Sequence, residues 1–301
     1  MISSYNKPAT TISEQIILLK RRGLLIENVT LAEEYLTHVG FFRLADFWQV
    51  LQRDTTNNIF IKGTKFNSVV ELYNFDRGLR LLLLDAIERI EISLRASITD
   101  TMSLAYGGQW YSDPRNAEDV DRFNDNMDFI KSELERNTEE FLTIHTRRYG
   151  TAEYPPAWKI VQVLSFGTLS KLYRNIARKL PEKKIIAIKF GLPTYVWLDN
   201  WLMVVSALRN HCAHHNRLCY RWFVFIPKEL TKANNYWIKK YPEGLGKRYL
   251  YTQLCTVKYL LDRCGYNDFS ERLKYLIEKS PNVPLQKMGF LPGWENEDLW
   301  K

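Results

Sequence analysis

The side chains with the most chemistry lie between residues 209 and 215, in the run Arg209-Asn-His-Cys-Ala-His-His215. An imidazole changes charge near neutral pH, so a histidine of this run can take a proton from a ribose 2′-hydroxyl or give one to a leaving 5′-oxygen. The Arg209 guanidinium suits non-bridging phosphate oxygens, and the Asn210 amide can orient the imidazole or the phosphate. This set predicts cleavage of a phosphodiester without a metal ion or other cofactor.

Three simpler roles compete with this prediction. A single helical histidine is more often structural than catalytic, although three histidines within five positions beside several arginines favour a site. His211 and His215 have the spacing of two zinc ligands on one helical face, but the run lacks the glutamate of H-E-x-x-H, and no further ligand has a telling spacing. Cys212 is a weak candidate nucleophile because it lies on an apolar stripe, where a thiolate is disfavoured.

A helix predicted from Thr194 to about Arg217 carries the run, and the projection extends to Arg221. At ~100° per residue, one apolar stripe should face the core. It consists of Leu198, Trp201, Val205, Leu208 and Cys212. The polar face, whose two arginines are predicted to bind RNA, consists of Asn210, His214, Arg217 and Arg221. Arg209 borders the apolar stripe, and His215 lies nearer to the core than the polar face does.

The rest of the chain must position this helix, and its pattern is helical. Glycine and proline are sparse, with 14 and 11 residues, and strand-like alternation is hard to find. Capping boxes mark three helix starts, at Thr11–Glu14, Thr30–Glu33 and Ser68–Glu71. Further helical segments are predicted at roughly 12–22, 31–39, 41–52, 67–106, 117–148, 157–164, 169–180, 182–190, 247–264 and 269–279, with an extended piece at 59–66. The sequence therefore predicts an all-α fold.

The longest periodic segment, 67–106, places five charged side chains on one arc beside its apolar stripe. They are Arg77, Arg80, Glu88, Glu91 and Arg95. One interpretation is a solvent-facing surface with i,i+3 and i,i+4 ion pairs, which contribute little stability. In the other interpretation, Glu88 or Glu91 orients Arg209. Arg77 and Arg80 then line an RNA groove, and Arg95 supports the site.

Composition and charge limit the partners. The chain has 42 Lys+Arg against 34 Asp+Glu, a formal net charge of +8, which mildly favours an anionic partner such as RNA. Its four cysteines show no C-x-x-C pair, so reduced thiols are expected. The N-terminus lacks an apolar signal segment, and no apolar stretch approaches the ~20 residues of a membrane span. These features predict a cytoplasmic protein with no membrane partner.

At the level of motifs the chain resembles the Abi-like abortive-infection proteins, in particular the AbiD/AbiF group. Its segment Arg209–Leu218 is similar to the family signature Arg-Asn-x-Cys-Ala-His-His-x-Arg. Other similar stretches are Tyr73-Asn-Phe-Asp76-Arg77-x-Leu-Arg80, Ile87-Glu88-Arg-Ile-Glu91-x-x-x-Arg95, Pro156-x-Trp158, Ser165-Phe166-Gly167-x-Leu-Ser170-x-Leu-Tyr173 and Met288-Gly-Phe-x-Pro-x-Trp294. The resemblance therefore extends from about Lys7 to Trp294.

That family is similar to the HEPN superfamily of helical proteins, many of which are ribonucleases with an Arg-x4–6-His motif. The resemblance implies an HEPN-like helical bundle with additional N- and C-terminal helices. We expect one domain over 1–301, with its core at about 67–221 and peripheral helices in 1–66 and 222–301. The resemblance also implies cleavage of cellular or phage RNA to 2′,3′-cyclic phosphate and 5′-hydroxyl ends, in a phage-defence or toxin setting.

The resemblance implies that Arg209 is the catalytic arginine of the motif and that Asn210 is the polar residue after it. The spacing of the motif allows either His214 or His215 as the catalytic histidine. The helical projection favours His214, which lies with the polar residues, and leaves His215 as a supporting residue. Arg209 and His214 are ~140° apart on an ideal helix, too far to share one tight site unaided. We therefore expect a homodimer in which Arg209 of one chain approaches His214 of the other.

Two other functions would use the same features. A non-catalytic HEPN-like scaffold would hold a structured small RNA without cutting it, and a toxin would be held by an antitoxin with an acidic surface. The Arg209 and His214 pair favours the enzyme, because a binding protein needs no titrating imidazole beside an arginine. Salt dependence separates RNA binding from protein binding, because phosphate contacts release counterions.

Overall fold

The computed structural model describes residues 8–150, 154–230 and 237–301. Over these ranges the chain forms twelve α-helices and one antiparallel pair of short strands, which confirms the all-α fold class. The helices are α1 (Ile12–Arg21), α2 (Val29–His38), α3 (Phe41–Trp48), α4 (Phe66–Tyr106), α5 (Val120–Arg136), α6 (Glu140–Tyr149), α7 (Ala157–Val163), α8 (Phe166–Arg174), α9 (Pro181–Lys189), α10 (Tyr195–Ala213), α11 (Leu250–Leu261) and α12 (Phe269–Glu278). The strands are β1 (Gln52–Asp54) and β2 (Ile59–Phe60).

Helix α4 is the axis of the fold. Its 41 residues span roughly 60 Å at ~1.5 Å per residue. Seven other helices pack along it: α3, α7, α8, α9, α10, α11 and α12. The periodic apolar positions that predicted the helix are buried, among them Leu72, Leu79, Leu83, Ile87, Ile90, Leu94 and Ile98. A helix covered on several sides gains most of its stability from tertiary packing rather than from local propensity.

Helix starts were predicted less well than helix positions. The Thr11 capping box is confirmed, with the Thr11 and Glu14 side chains each bonded to the other's backbone N–H. The box at Ser68 is wrong: α4 begins at Phe66, whose N–H donates to the Leu25 carbonyl at 2.9 Å. A backbone bridge from a distant segment supplies the partner, so no local cap is needed.

Three other helix boundaries differ from their predicted positions. The predicted box at Thr30 is wrong because the Asn28 side chain caps α2, accepting the Leu31 N–H at 3.0 Å. The segment 41–52 ends as a helix at Trp48 and continues through a 3-10 turn into β1. The charged region 117–148 is two helices rather than one, because Asn137 adopts an extended conformation and accepts the Glu139 N–H.

Helix α10 lies in the middle of the core. It packs against α4, α8, α9 and α11. Its predicted apolar stripe is confirmed: Leu198, Trp201, Val205, Leu208 and Cys212 are each at most 1% exposed. The Trp201 indole donates to the Lys228 carbonyl at 2.9 Å, which satisfies its buried polar atom. This hydrogen bond joins the first half of α10 to the segment that follows the helix and its turn.

Candidate functional site

Helix α10 ends at Ala213, so its prediction to Arg217 is wrong by one turn. His214 is the C-cap, and His215 adopts a left-handed conformation with φ 58°. The His215 N–H donates to the Cys212 carbonyl at 3.1 Å, and the Asn216 N–H donates to the His211 carbonyl at 2.8 Å. This pair of bonds is a Schellman helix end, with histidine at the position that glycine usually occupies.

Two arginine side chains and one aspartate side chain bind the turn after α10. The His215 carbonyl accepts from Arg80 Nη1 at 2.8 Å and also from the Arg43 guanidinium. Asp76 Oδ1 accepts the backbone N–H groups of Leu218 and Cys219, each at 2.8 Å. We refer to Asp76 and Arg80 of α4 as the α4 clamp, since between them they bind three backbone groups of this turn.

The two clamp residues also pair with each other inside the protein. Arg80 Nη1 lies 3.1 Å from Asp76 Oδ2, and their side chains are 7% and 0% exposed. Burial raises the pKa of the Asp76 carboxyl, while the backbone N–H groups and Arg80 oppose that rise by favouring the carboxylate. A buried ion pair of this kind is retained only when hydrogen bonds satisfy its remaining atoms, as they do here for Oδ1.

Arg80 was predicted to lie on a solvent-facing arc or in an RNA groove, and the structure places it inside the protein. No role was predicted for Asp76. Arg80 is not on a solvent-facing arc, because its guanidinium is committed to the turn. The missed signal was the place of Asp76 in the apolar spacing of α4, between Leu72 and Leu79. A charged residue among buried apolar positions requires a specific partner.

Arg217 and Arg221 do not share a helical face with Asn210 and His214, because both follow the end of α10. Arg217 Nη1 donates to the Asp46 carbonyl at 2.6 Å, at the last turn of α3. Arg221 Nε donates to the Arg217 carbonyl at 2.7 Å. Both side chains are half-buried. These bonds tie the segment after the turn to α3, and they leave only part of each guanidinium free.

The remaining charges of the α4 arc divide into two groups. Arg77 and Glu88 are exposed, as the solvent-facing interpretation predicts. Glu91 pairs with Arg95 on its own helix, and Arg95 also donates to the Val161 and Leu164 carbonyls at the end of α7. Within the described ranges, neither glutamate forms an ion pair with Arg209, and Arg95 joins α4 to α7.

The predicted catalytic side chains are free while their backbone is held. Asn210 and His214 are exposed and Arg209 is half-buried. Across residues 8–150, 154–230 and 237–301, the side chains of these three form no hydrogen bond or ion pair. Their polar atoms are therefore open to a ligand or a second chain without loss of an internal hydrogen bond.

His211 is the third histidine of the run and has the most structured surroundings. Its ring contacts Phe223 edge-on at 5.8 Å between centroids, and its Nδ1 lies 3.4 Å from the Asn216 amide nitrogen. Burial lowers its pKa below the usual 6.5, and the charges of Arg221 and His214 lower it further. Burial and the neighbouring positive charges favour the neutral imidazole, so His211 is a structural neighbour of the candidate residues Arg209 and His214.

The first prediction concerns this titration. We expect His211 to titrate below 6.5, and Arg221→Gln to raise its midpoint, because a neighbouring positive charge is removed. Because the folded pKa lies below the unfolded one, His211 should contribute stability above pH ~6.5 that is lost as pH falls. Long-range ¹H–¹⁵N NMR between pH 5 and 8, assigned with His211→Gln, measures the midpoint. A midpoint unmoved by Arg221→Gln would contradict the assignment.

The competing uses of the run find little support. His215 leaves the helix, so it does not lie on a helical face with His211. In the part of the chain that the structure describes, no group of three His, Cys, Asp or Glu side chains is placed to hold a metal ion. Burial raises the pKa of the Cys212 thiol to about 12, with Asp76 adding to that rise, so a thiolate is disfavoured. The four cysteines are all free.

Comparisons with known proteins bear on the same segment. No described helix is both long and apolar enough to cross a membrane. No curated protein and no solved structure shows a significant match to the chain. A family model described as "Abi-like protein" matches residues 34–220, more than half of the 301 residues. The matched range contains Arg43, the α4 clamp and the whole turn after α10. The chain therefore belongs to the Abi-like protein family.

Proposed function

We propose that this Abi-like protein is a metal-independent endoribonuclease that acts in abortive infection. The observation that carries the proposal is the contrast at the end of α10. Buried and half-buried charged side chains bind backbone groups of His215, Leu218 and Cys219, whereas the side chains of Arg209, Asn210 and His214 are free. A fixed helix end presents these side chains from a constant position, and no internal hydrogen bond has to break before they contact a substrate.

The chemistry follows from the residue types. An imidazole at position 214 takes the proton of a ribose 2′-hydroxyl, whose oxygen then bonds to the adjacent phosphorus. The bond from phosphorus to the 5′-oxygen breaks, and that oxygen takes a proton from solvent water, to which the His214 imidazolium later returns its own proton. Arg209 stabilises the charge on the non-bridging oxygens, and Asn210 orients the phosphate. The products are a 2′,3′-cyclic phosphate and a 5′-hydroxyl.

A homodimer completes this proposal. Arg209 and His214 point ~140° apart from one helix end, so one chain presents them in different directions. In a two-fold dimer, Arg209 of one chain meets His214 of the other, and the reverse pair forms at the same interface. The likeness of the family to HEPN ribonucleases, which pair two Arg-x4–6-His motifs, supports this arrangement.

Charge and exposed aromatics around the turn support RNA as the substrate. Arg77 is exposed on α4, and the chain carries a net charge of +8. Phe42 is 88% exposed and precedes Arg43, which binds the His215 carbonyl. Trp222 is 56% exposed and follows Arg221. Exposed aromatic rings beside arginines provide surfaces on which unpaired bases stack.

The proposal predicts complementation between two inactive variants. Arg209→Ala and His214→Ala should each fail to cleave RNA, but their mixture should recover about a quarter of wild-type activity. Half of the dimers are then mixed, and each mixed dimer has one intact pair at its two-fold interface. Cleavage of a labelled RNA by purified proteins, with a chelator present throughout, measures the recovery.

Two results would contradict the proposal. If the mixture stays as inactive as either variant, although exchange of subunits is shown, the site is not shared between chains. If the wild type binds RNA but does not cleave it under any of these conditions, the protein is the RNA-holding scaffold instead. Doubly substituted Arg209→Ala/His214→Ala mixed with wild type is the control for exchange alone.

A further inference from the structure

A second concave region lies between α5, α8 and α10, away from the end of α10 that carries His214. It is a cavity of about 460 Å³ lined by three arginines, Arg122, Arg174 and Arg178, together with Tyr195, Val196, Asp199, Asn200 and Met203 of α10. Arg122 and Arg174 also line an adjoining cavity of about 260 Å³ with Lys171 and Phe129. We refer to both together as the arginine cleft.

Asp199, the acid that α10 contributes to the cleft, is paired with a buried lysine on the side away from the cleft. Asp199 Oδ2 lies 3.3 Å from Lys183 Nζ, and that ammonium also donates to the Arg174 and Ile176 carbonyls at 2.8 and 3.1 Å. Lys183 is fully buried, with Nζ beside the Tyr173 and Tyr195 rings. The nearest cation to Asp199 is thus the Lys183 ammonium behind the cleft, while the charges of Arg174 and Arg178 also act on this carboxyl.

The other acids near the cleft bind its arginines weakly. Arg122 lies 4.0 Å from Asp119 and Arg178 lies 3.5 Å from Glu118, and both arginine side chains are largely exposed. Glu118 also accepts the Arg178 backbone N–H at 2.8 Å, so its position does not depend on the guanidinium. Asp125 lines the adjoining cavity. Exposed pairs at such distances contribute little, so a phosphate can replace them. Arg174 forms no ion pair with any described residue. The cleft therefore favours an anionic ligand, with Arg174 at its centre.

The cleft and His214 lie on one face of α10. Positions 196, 200, 203, 207, 210 and 214 fall within an arc of about 80° at ~100° per residue. Met203 in the cleft lies 11 residues before His214, a rise of about 17 Å along the helix. Between them this face carries the small residue Ala207 and the exposed Asn210. An RNA strand that lies along this face would run from the arginines of the cleft to His214, the candidate catalytic histidine.

We propose that the arginine cleft binds phosphate groups of the substrate RNA several nucleotides away from the bond that is cut at His214. The inference rests on the proposed ribonuclease function and adds that the substrate is an RNA strand of several nucleotides. A stacked strand advances ~3.4 Å per nucleotide, so the separation of about 17 Å corresponds to about five nucleotides. The ligand chemistry is the phosphate group, which a free nucleotide also carries.

The test compares short and long substrates. The double variant Arg174→Gln/Arg178→Gln should lower kcat/KM for an oligouridine of about 20 nucleotides by roughly tenfold or more at low salt, and should reduce the slope of log(kcat/KM) against log[salt] by about 0.7 per lost contact. Cleavage of a substrate of about three nucleotides should be unchanged, because it does not reach the cleft. Arg136→Gln, at the other end of α5, is the matched control and should change neither.

Four outcomes decide the matter. A loss confined to the long substrate, with unchanged melting temperature, supports the cleft. Unchanged cleavage of both substrates by the double variant overturns the inference and leaves the ribonuclease function standing. If ADP binds the wild type but not the double variant while long RNA is cut normally, the cleft is a nucleotide site and the inference is overturned. If the wild type cuts neither substrate, the ribonuclease function and the inference fail together.

Discussion

Replacing Asp76 by alanine is expected to lower the free energy of unfolding by about 3–5 kcal/mol, the cost of breaking a buried ion pair by removing one partner. The change leaves Arg80 as an uncompensated buried charge and removes the acceptor of the Leu218 and Cys219 N–H groups. Equilibrium unfolding in urea, followed by circular dichroism, measures the difference. Asp76→Asn keeps an oxygen acceptor and should lose less.

A matched control lies on the same helix. Asp85 is the exposed partner of Arg272, at 2.5 Å with both side chains about half exposed, so Asp85→Ala should cost less than about 1 kcal/mol. If Asp76→Ala were no more destabilising than Asp85→Ala, the α4 clamp would not hold the turn. Because the clamp positions His214, Asp76→Asn should also lower RNA cleavage under conditions where the variant is fully folded.

The second large effect is on cleavage, and it separates two adjacent histidines. His214→Ala should lower kcat/KM by about 10²- to 10⁴-fold, the range for a general acid or base. Arg209→Ala should lower it by about 10²- to 10³-fold, as for loss of one group that stabilises an oxyanion. His215→Gly should retain activity near wild type, because His215 serves through its backbone and glycine adopts its φ of 58° freely.

The values of kcat/KM should be compared between purified variants that have matched melting curves, because an unfolded variant is inactive whatever its catalytic residues are. His215→Gly should melt no lower than the wild type, because glycine at this helix end removes the strain of a left-handed histidine. An inactive His215→Gly beside an active His214→Ala would reverse the assignment of the catalytic histidine. Equal loss in both would point to the turn as a whole rather than to one imidazole.

The sequence predicted the helices better than it predicted their ends. Apolar spacing identified α4 and the buried stripe of α10, because a long periodic pattern reflects burial on one face. The end of α10 was misplaced because it depends on groups far away in the chain. Arg43 and Arg80 bind the carbonyl of His215, and no local pattern around Ala213 encodes those contacts.

The same limitation applies to the charged residues. Ion pairs at i,i+4 were predicted for the α4 arc, and the Glu91–Arg95 pair follows that pattern. Arg80 was expected on the surface, but it lies inside with Asp76 because α10 and the turn after it cover that position. The arginine cleft was not predicted, since its side chains come from three helices and the loop after α8, which only the fold brings together.

The most direct test of the proposed ribonuclease function is the chemistry of RNA ends in cells that express the protein. Growth and total RNA would be followed after induction of the wild type, Arg209→Ala and His214→Ala. We expect the wild type to stop growth and to leave 2′,3′-cyclic phosphate and 5′-hydroxyl ends, and both variants to do neither. If all three proteins leave the RNA intact, or if the two variants cut as the wild type does, Arg209 and His214 do not form a ribonuclease site.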